Sequence, residues 1–301
     1  MNVDVSVVVV TYNSRSCVAA TIDSLIAHTA GVSHEIIVVD NASPDATADF
    51  IAAQYPSLRL VRRAKNDGLS AAINDGVAGA RGTYIAVLNP DVRFVSDVLT
   101  PLVAYLREHA DAGIVAPKLL NEDGSVQLSC RSFPGYLTAL FNRYSLLTRV
   151  LPRNRYSSSY LMSEFGHDTL SDVDWVSGAA LMLPRAIFDE VGGWDAGFFM
   201  FNEDVDLCRR VRNAGYRVVY DPSVSVFHAI GVSTSASPRM VIERHKSMWR
   251  YYRKHLRGGF ARDAITAAGI AARCTSILGA NVLRRLVRRQ RSGSAIDATG
   301  R

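Results

Sequence analysis

Residues 5–10 read Val-Ser-Val-Val-Val-Val and stop abruptly at Thr11-Tyr12-Asn13-Ser14. A run this rich in β-branched residues, with no polar alternation, predicts a strand covered on both faces. The polar stop predicts a turn into a helix, with Asn13 or Ser14 as its cap and its end near residue 28. The unit then repeats. Residues 35–39 form a second strand, followed by Asp40-Asn41-Ala42-Ser43-Pro44-Asp45 and a helix to about residue 54. Residues 58–61 are a third strand, residues 69–80 a third helix, and residues 84–88 a fourth strand ending at Asn89-Pro90-Asp91. Strands alternating with helices imply right-handed crossovers and a mostly parallel sheet with helices on both faces. Such sheets bind ligands beyond the carboxyl ends of their strands, where Thr11, Asp40, residues 65–68 and Asp91 gather. Residues 1–115 therefore read as the nucleotide-binding half of an α/β domain.

Residues 116–257 are less regular and read as its second half. Residues 131–171 show no sustained period and are rich in Arg, Tyr and Ser; they predict a long loop region with one short helix around residues 137–147, and loops of this length are often functional. Within it, residues 142–160 fit either a lid or acceptor site or a solvated loop. A strand over residues 175–183 leads through Pro184 into a short helix and then Gly192-Gly193-Trp194-Asp195. Short strands follow at 216–220 and 224–227, then a loop at 228–233 and a helix over roughly 240–257.

Between these lies Phe199-Met200-Phe201-Asn202-Glu203-Asp204-Val205-Asp206, three carboxylates directly behind an aromatic run. If Asn202 caps a helix to about residue 213, the helical period puts Asp204, Leu207, Cys208 and Val211 on the inward face. Asp206 falls toward the other side, near Arg209 and Arg210, which suits a helix ion pair of ~0.3 to 0.5 kcal/mol. Asp204 fits two roles. A carboxylate at a helix N-terminus gains from the dipole, and a carboxylate on a rigid helix at a cleft can receive a proton from a hydroxyl. Asp91 is similarly open: Asn-Pro-Asp makes a good turn, yet a carboxylate beside a diphosphate makes sense with a divalent cation between them. Asp40 can accept from a base or ribose or serve its turn, and His228 is a lone histidine after a strand.

With 301 residues, 48% of them hydrophobic and 21% charged, the chain buries a sizeable core without disulfides or a structural metal. Its cysteines, Cys17, Cys130, Cys208 and Cys274, contain no C-x-x-C pair, which argues against a zinc ribbon or a secreted framework and suits a reducing cytosol. The first residues carry no basic region or cleavage site, so no signal peptide is expected. No stretch reaches 18 uncharged apolar residues, residues 264–287 being broken by Arg273, Asn281, Arg284 and Arg285, so no spanning helix is expected either. The net charge of +6 is uneven. Residues 239–301 hold 15 Lys+Arg against 3 Asp+Glu, and residues 1–238 hold 19 against 25, giving +12 and −6. Residues 258–301 read as a basic amphipathic helical extension, suited to an anionic lipid surface or to packing on its own domain.

The order of the signals is more specific than any of them. Thr11-Tyr12-Asn13, then Val39-Asp40-Asn41-Ala42-Ser43, Asn66-Asp67-Gly68-Leu69-Ser70, Leu88-Asn89-Pro90-Asp91, Gly178-Ala179-Ala180, Gly192-Gly193-Trp194-Asp195 and Glu203-Asp204-Val205-Asp206-Leu207 occur in that sequence. Over residues 3–256 the chain resembles the inverting family 2 glycosyltransferases of the GT-A fold, and within them the rhamnosyltransferase-like branch. The resemblance implies a GT-A domain over residues 1–257 and a nucleotide-diphosphate sugar as donor, held by Thr11, Tyr12, Asp40, Asn66, Gly68, Asn74, Asn89 and Asp91. It implies Asp204 as the base, with Glu203 as the nearest competitor, and an acceptor beside Trp175, Gly178, Ala179, Trp194 and Asp206. It also implies a divalent cation, Mg²⁺ or Mn²⁺, on Asp91, the second acidic position of the family's D-x-D motif, with His228 as a further ligand. Asn89 stands at the first position of that motif and brings no charge.

By this resemblance the donor is dTDP-rhamnose, with UDP-galactofuranose, UDP-glucose and UDP-N-acetylglucosamine as alternatives. The acceptor is a cell-envelope glycan or polyprenyl-diphosphate-linked glycan, at the inner face of the membrane. Three rivals compete. A dinucleotide oxidoreductase lacks its G-x-G-x-x-G after the first strand. A nucleic-acid module lacks interleaved aromatics in the basic tail, and the acidic body would repel phosphate. A catalytically inactive scaffold of the same fold has Asn89 as its hint.

Overall fold

A computed structural model of the chain describes residues 3–135, 166–229 and 237–298, with side chains as far as residue 282. The first half runs β1 (Val5–Thr11), α1 (Val18–Ala27), β2 (His34–Asp40), α2 (Thr47–Gln54), β3 (Arg59–Arg62), α3 (Leu69–Ala78), β4 (Tyr84–Leu88), β5 (Val92–Phe94), α4 (Leu99–Glu108) and β6 (Ala112–Leu120). Then come β7 (Cys130–Arg131), β8 (Ser171–Val173), β9 (Trp175–Val176), β10 (Ala180–Pro184), α5 (Arg185–Glu190), α6 (Glu203–Asn213), β11 (Arg217–His228), α7 (Pro238–His255) and α8 (Phe260–Ala298).

All seven residues of β1 are buried, as a strand covered on both faces requires. Its period of two divides the side chains between two cores. Val5, Val7 and Val9 join Ile22 and Leu25 of α1 and Leu102 and Leu106 of α4, while Val8 and Val10 join Ile73 and Val77 of α3 and Leu207 and Val211 of α6. Each fully buried valine removes apolar surface worth roughly 1.5 kcal/mol or more.

Among the described residues the main sheet has the order β3-β2-β1-β4-β10-β6-β11-β5, with β8 also on β11. β3, β2, β1 and β4 are mutually parallel, as are β6 and β11. β10 runs against both of its neighbours, β4 and β6. This is the mixed, mostly parallel α/β sheet expected. The reversed β10 matters most, because its N-terminal end meets the carboxyl end of β4 and brings residues 178–179 to the ligand edge.

Several local expectations change. Helix α1 starts after Cys17 rather than at Asn13 or Ser14, and the Ser14 hydroxyl turns back to the Tyr12 N–H and carbonyl, at 3.2 Å each, instead of to the helix amides. The strand expected over residues 175–183 is two strands on different sheets, broken where Ser177 N donates to Ser129 O. The two strands expected at 216–220 and 224–227 are one, β11, with an irregularity between Asp221 and Ser225. The helix expected near residues 137–147, and the whole of residues 142–160, lie outside the described residues.

The chain divides into two compact units, Met1–Thr234 and Ser235–Arg301. Helix α7 groups with α8, against which it packs. Ser237 caps α7, its hydroxyl accepting from Met240 N at 3.3 Å. Within α8, Phe260–Val282 spans 23 residues at a mean hydropathy of 1.2, none of it buried, and is long and apolar enough to cross a membrane by length and composition. The sequence predicts no spanning helix here because Arg273 interrupts the segment, yet Arg273 is the only charge between residues 264 and 283.

Candidate active site

Thr11 and Asp40 end adjacent parallel strands and are register partners. Thr11 Oγ1 donates to Asp40 Oδ1 at 3.0 Å, and Ser43 N donates to Asp40 Oδ2 at 3.0 Å, so this buried carboxylate is fixed in place. Tyr12, the next residue, is exposed. Asn66 Oδ1 accepts from Asn41 Nδ2 at 2.9 Å and from Gly68 N at 3.0 Å. Gly68 has a φ of +104°, and a Cβ there would stand 2.4 Å from the Phe199 carbonyl oxygen. That close approach lets Leu69 N donate to Phe199 O at 2.8 Å, which ties the aromatic run before α6 to the start of α3. Asn74 Nδ2 donates to Trp194 O at 2.7 Å and its Oδ1 accepts from Trp194 N at 3.0 Å. In this arrangement its side chain holds the Gly192-Gly193-Trp194 turn.

Asn89 and Asp91 lie just beyond β4, and β5 pairs with the end of β11 so that Val92 is opposite His228. Asp91 is buried, its Oδ1 accepts no hydrogen bond among the described residues, and His228 Nε2 stands 3.4 Å from that oxygen. Asn89 Nδ2 lies 3.2 Å from the same ring nitrogen. Burial first, then the charges of Asp91 and Asp45, push the Cys17 thiol up to about 11. A buried carboxylate oxygen without a donor, facing an imidazole nitrogen, fits a divalent cation. Among the described residues no group of three or more His, Cys, Asp or Glu is placed to hold a metal. A cation here would therefore rest on Asp91, His228 and oxygens of a bound diphosphate.

The third part of the edge is the start of α6. Asn89 N donates to Ala179 O at 2.9 Å, which brings the lead-in to β10 beside Asn89. One residue earlier, Gly178 N donates to Asp204 Oδ2 at 3.1 Å; Val205 N donates to Asp204 Oδ1 at 2.8 Å. Glu203 is 6% exposed and Asp206 0%, whereas Asp204 is only partly buried, so of the three carboxylates it is the one open to a ligand. Burial raises the Asp204 carboxyl above its usual value despite the two amides. Burial, and then the Asp204 charge, raise Glu203 to about 8, and its Oε2 has no hydrogen-bond partner among the described residues. With both N–H donors on Asp204, the negative charge belongs on Asp204 and the proton on Glu203.

Asp206 corrects the sequence reading: it is fully buried, because residues 191–193 pack over that side of α6. It does pair with Arg210, at 2.8 Å, and Arg210 also donates to the carbonyls of Val191 and Gly193 at 2.6 and 2.7 Å. The pair clamps the glycine turn to α6 rather than decorating a solvated face. Trp194 is buried with its ring against Gly178. Trp175 is partly buried, its Nε1 donates to Ser132 O at 2.9 Å, and Arg131 lies 5.7 Å over its ring.

The sequence reading missed three residues. Asn41 connects Asn66 to Gly68 and stood in plain sight beside Asp40. Gln127 holds His228 and Arg131 lowers the Asp204 carboxyl through its charge; neither belongs to a periodic pattern or motif.

Comparison with known proteins places these features in a wider set. Residues 6–155 match the family model "Glycosyl transferase family 2", and residues 129–288 match "Glycosyl transferase family group 2". The N-acetylglucosaminyl-diphospho-decaprenol L-rhamnosyltransferase of Mycobacterium tuberculosis H37Rv is 30% identical over 250 residues, covering 75% of this chain and 80% of that protein. Rhamnosyltransferase WbbL of Escherichia coli K12 is 29% identical over 206 residues, 65% of this chain and 72% of that one. Among solved structures, the mannosyltransferase PcManGT from Pyrobaculum calidifontis, in complex with GDP-Man and Mn²⁺, superposes with a TM-score of 0.55 at 18% identity, over 98% of this chain and 84% of that one. GalNAc-T7 with UDP, GalNAc and Mn²⁺ gives a TM-score of 0.58 at 17% identity over 83% of this chain, which spans about half of that chain's length (49%). At these identities the two structures bear on the fold.

Proposed function

The chain is a family 2 glycosyltransferase of the rhamnosyltransferase-like branch, and on that premise we propose that it moves rhamnose from dTDP-rhamnose onto a hydroxyl of a polyprenyl-diphosphate-linked glycan, with inversion. The donor nucleoside lies along Thr11, Tyr12, Asp40 and Asn66, beyond the carboxyl ends of β1 and β2, with Gly68 closing that edge. Its diphosphate reaches Asn89 and Asp91. When bound at Asp91 and His228, a divalent cation supplies positive charge against the leaving diphosphate.

Asp204 then does the acid–base work. The acceptor hydroxyl gives its proton to the Asp204 carboxylate as its oxygen forms a bond to the anomeric carbon. The bond from that carbon to the diphosphate oxygen breaks with its electron pair on the departing nucleoside diphosphate. One displacement inverts the configuration. Glu203, holding a proton in its buried position, is unsuited to the role of base. Trp175 and Gly178 border the Asp204 approach on the acceptor side, and the buried Ala179, Trp194 and Asp206 support it from behind.

The observation that carries this reading is Asp204 itself, oriented by two backbone amides and partly open while its two neighbouring carboxylates are buried. The similarity to the mycobacterial and E. coli rhamnosyltransferases supports the sugar. A lipid-linked acceptor also gives α8 a purpose, as an apolar and basic element at the cytoplasmic face of a membrane. The test is calorimetric titration and transfer assay with dTDP-rhamnose, UDP-galactofuranose, UDP-glucose, UDP-N-acetylglucosamine and GDP-mannose, with and without Mg²⁺ or Mn²⁺. Cation-enhanced binding and turnover of dTDP-rhamnose alone is the expected result. Preference for a UDP-sugar would overturn the donor, and binding of no donor would favour the scaffold reading.

A further inference from the structure

Gln127 follows the turn after β6 and is 8% exposed. Its Nε2 lies 2.6 Å from the His228 carbonyl oxygen and 3.3 Å from that of Leu120. Carbonyl oxygens only accept, so these two contacts fix the amide with its NH₂ group toward the backbone. Its Oε1 is thereby turned to His228 Nδ1, at 3.0 Å. An amide oxygen also only accepts, so Nδ1 must carry the hydrogen. The neutral ring then has its lone pair on Nε2, the atom 3.4 Å from the donorless Oδ1 of Asp91.

We propose that Gln127 is a positioning residue that locks His228 in its Nδ1–H tautomer and so presents the Nε2 lone pair beside Asp91 as a cation ligand. Two electron pairs then face each other across 3.4 Å, which costs energy unless a positive charge lies near both. Asn89 Nδ2 donates to the same lone pair at 3.2 Å, and a cation must displace it. Asn89 does not choose the tautomer, because its amide can turn either its NH₂ or its oxygen to the ring and so follows it. The lock is built from backbone on one side and side chain on the other: the carbonyl that anchors Gln127 belongs to His228 itself, so residue and ligand move as one unit. Outer partners of this kind commonly change metal affinity by 10–100-fold.

This inference rests on Asp91 and His228 being the cation site, and it has readouts other than sugar transfer, so it and the proposed activity fail separately. Full-length protein labelled with ¹⁵N-histidine gives the tautomer of each ring from long-range ¹H–¹⁵N spectra at a pH where the rings are neutral. Mn²⁺, titrated by calorimetry with excess dTDP or UDP present to supply the diphosphate oxygens, gives the affinity. Wild type is expected to show His228 protonated on Nδ1, Asn89→Ala to keep that pattern, and Gln127→Leu to lose it while binding Mn²⁺ at least ~10-fold more weakly. His228 protonated on Nε2 in the wild type would overturn the proposal whether or not the leucine variant folds. So would a folded Gln127→Leu variant with unchanged tautomer and affinity, or a wild type that does not bind Mn²⁺.

Discussion

Asp204 Oδ2 accepts the Gly178 amide at 3.1 Å, and through that bond the first turn of α6 is fastened to the entrance of β10. The next residue, Ala179, accepts from Asn89 N at 2.9 Å. Two consecutive residues of one strand entrance thus join the carboxylate on α6 to the end of β4. The antiparallel direction of β10 is what makes this possible, since a parallel strand would bring its other end to this edge.

Gly178 is small because its surroundings require it. A Cβ there would stand 3.2 Å from Trp194 Cη2 and 3.3 Å from Asp204 Cβ, so Gly178→Ala must push one of them by a few tenths of an ångström. Trp194 is buried and held by Asn74, which leaves Asp204 to move. We expect turnover to fall by about tenfold or more, since small misplacements at a reacting centre are costly, with a loss of stability of about 1 kcal/mol. Steady-state kinetics alongside a thermal melt separate the two effects; equal activity would show that Asp204 tolerates the displacement.

Glu203 makes stability depend on pH. Its carboxyl sits at about 8 in the fold against ~4.3 when unfolded. Between those values the folded chain retains a proton that the unfolded chain releases. Its contribution is fully present below ~4.3 and is lost as pH rises through about 8. Glu203→Gln, always neutral, removes this dependence. Chemical denaturation at about pH 5 and about pH 9 is expected to show the variant gaining roughly 2–4 kcal/mol on the wild type at the higher pH; parallel pH profiles would place the proton elsewhere.

The exposed apolar face of α8 and the arginines beyond it set up a test of membrane association. Phe260 and Ile265 are 92% and 74% exposed, and Arg284, Arg285, Arg288 and Arg289 follow in the sequence. Full-length protein should bind vesicles containing anionic lipid and leave them as salt is raised. Replacing the four arginines by glutamine should weaken binding by up to ~1 kcal/mol each. Sedimentation with vesicles checks this, and binding that ignores both lipid charge and the arginines would point to apolar insertion by Phe260–Val282.

How far the sequence went depends on the range of the interaction. The alternation of strands and helices through residue 88 was readable because a buried parallel strand needs an unbroken β-branched run and a crossover helix needs its own period; β5, α4 and β6 beyond it were not read. Asp204 was legible for the same reason, as the polar start of an amphipathic helix. The burial of Asp206 was not, because it depends on residues 191–193 folding over α6, a contact that no periodicity in α6 encodes. Gln127 was invisible on similar grounds: its partner is 101 residues away and its work is done with backbone carbonyls. The continuous β11 was split in the reading because Asp221 and Pro222 look like a turn, yet the strand absorbs them as an irregularity in its pairing with β6.

The central claim is that Asp204 is the base for glycosyl transfer, and Asp204→Asn tests it most directly. The substitution keeps size and shape and removes the ability to take a proton. Turnover with dTDP-rhamnose and a lipid-linked acceptor should fall at least ~10²-fold, while the donor affinity measured by calorimetry stays within about threefold, because the nucleoside and diphosphate are held by other residues. Turnover close to wild type with intact donor binding would contradict the account and remove Asp204 from the role.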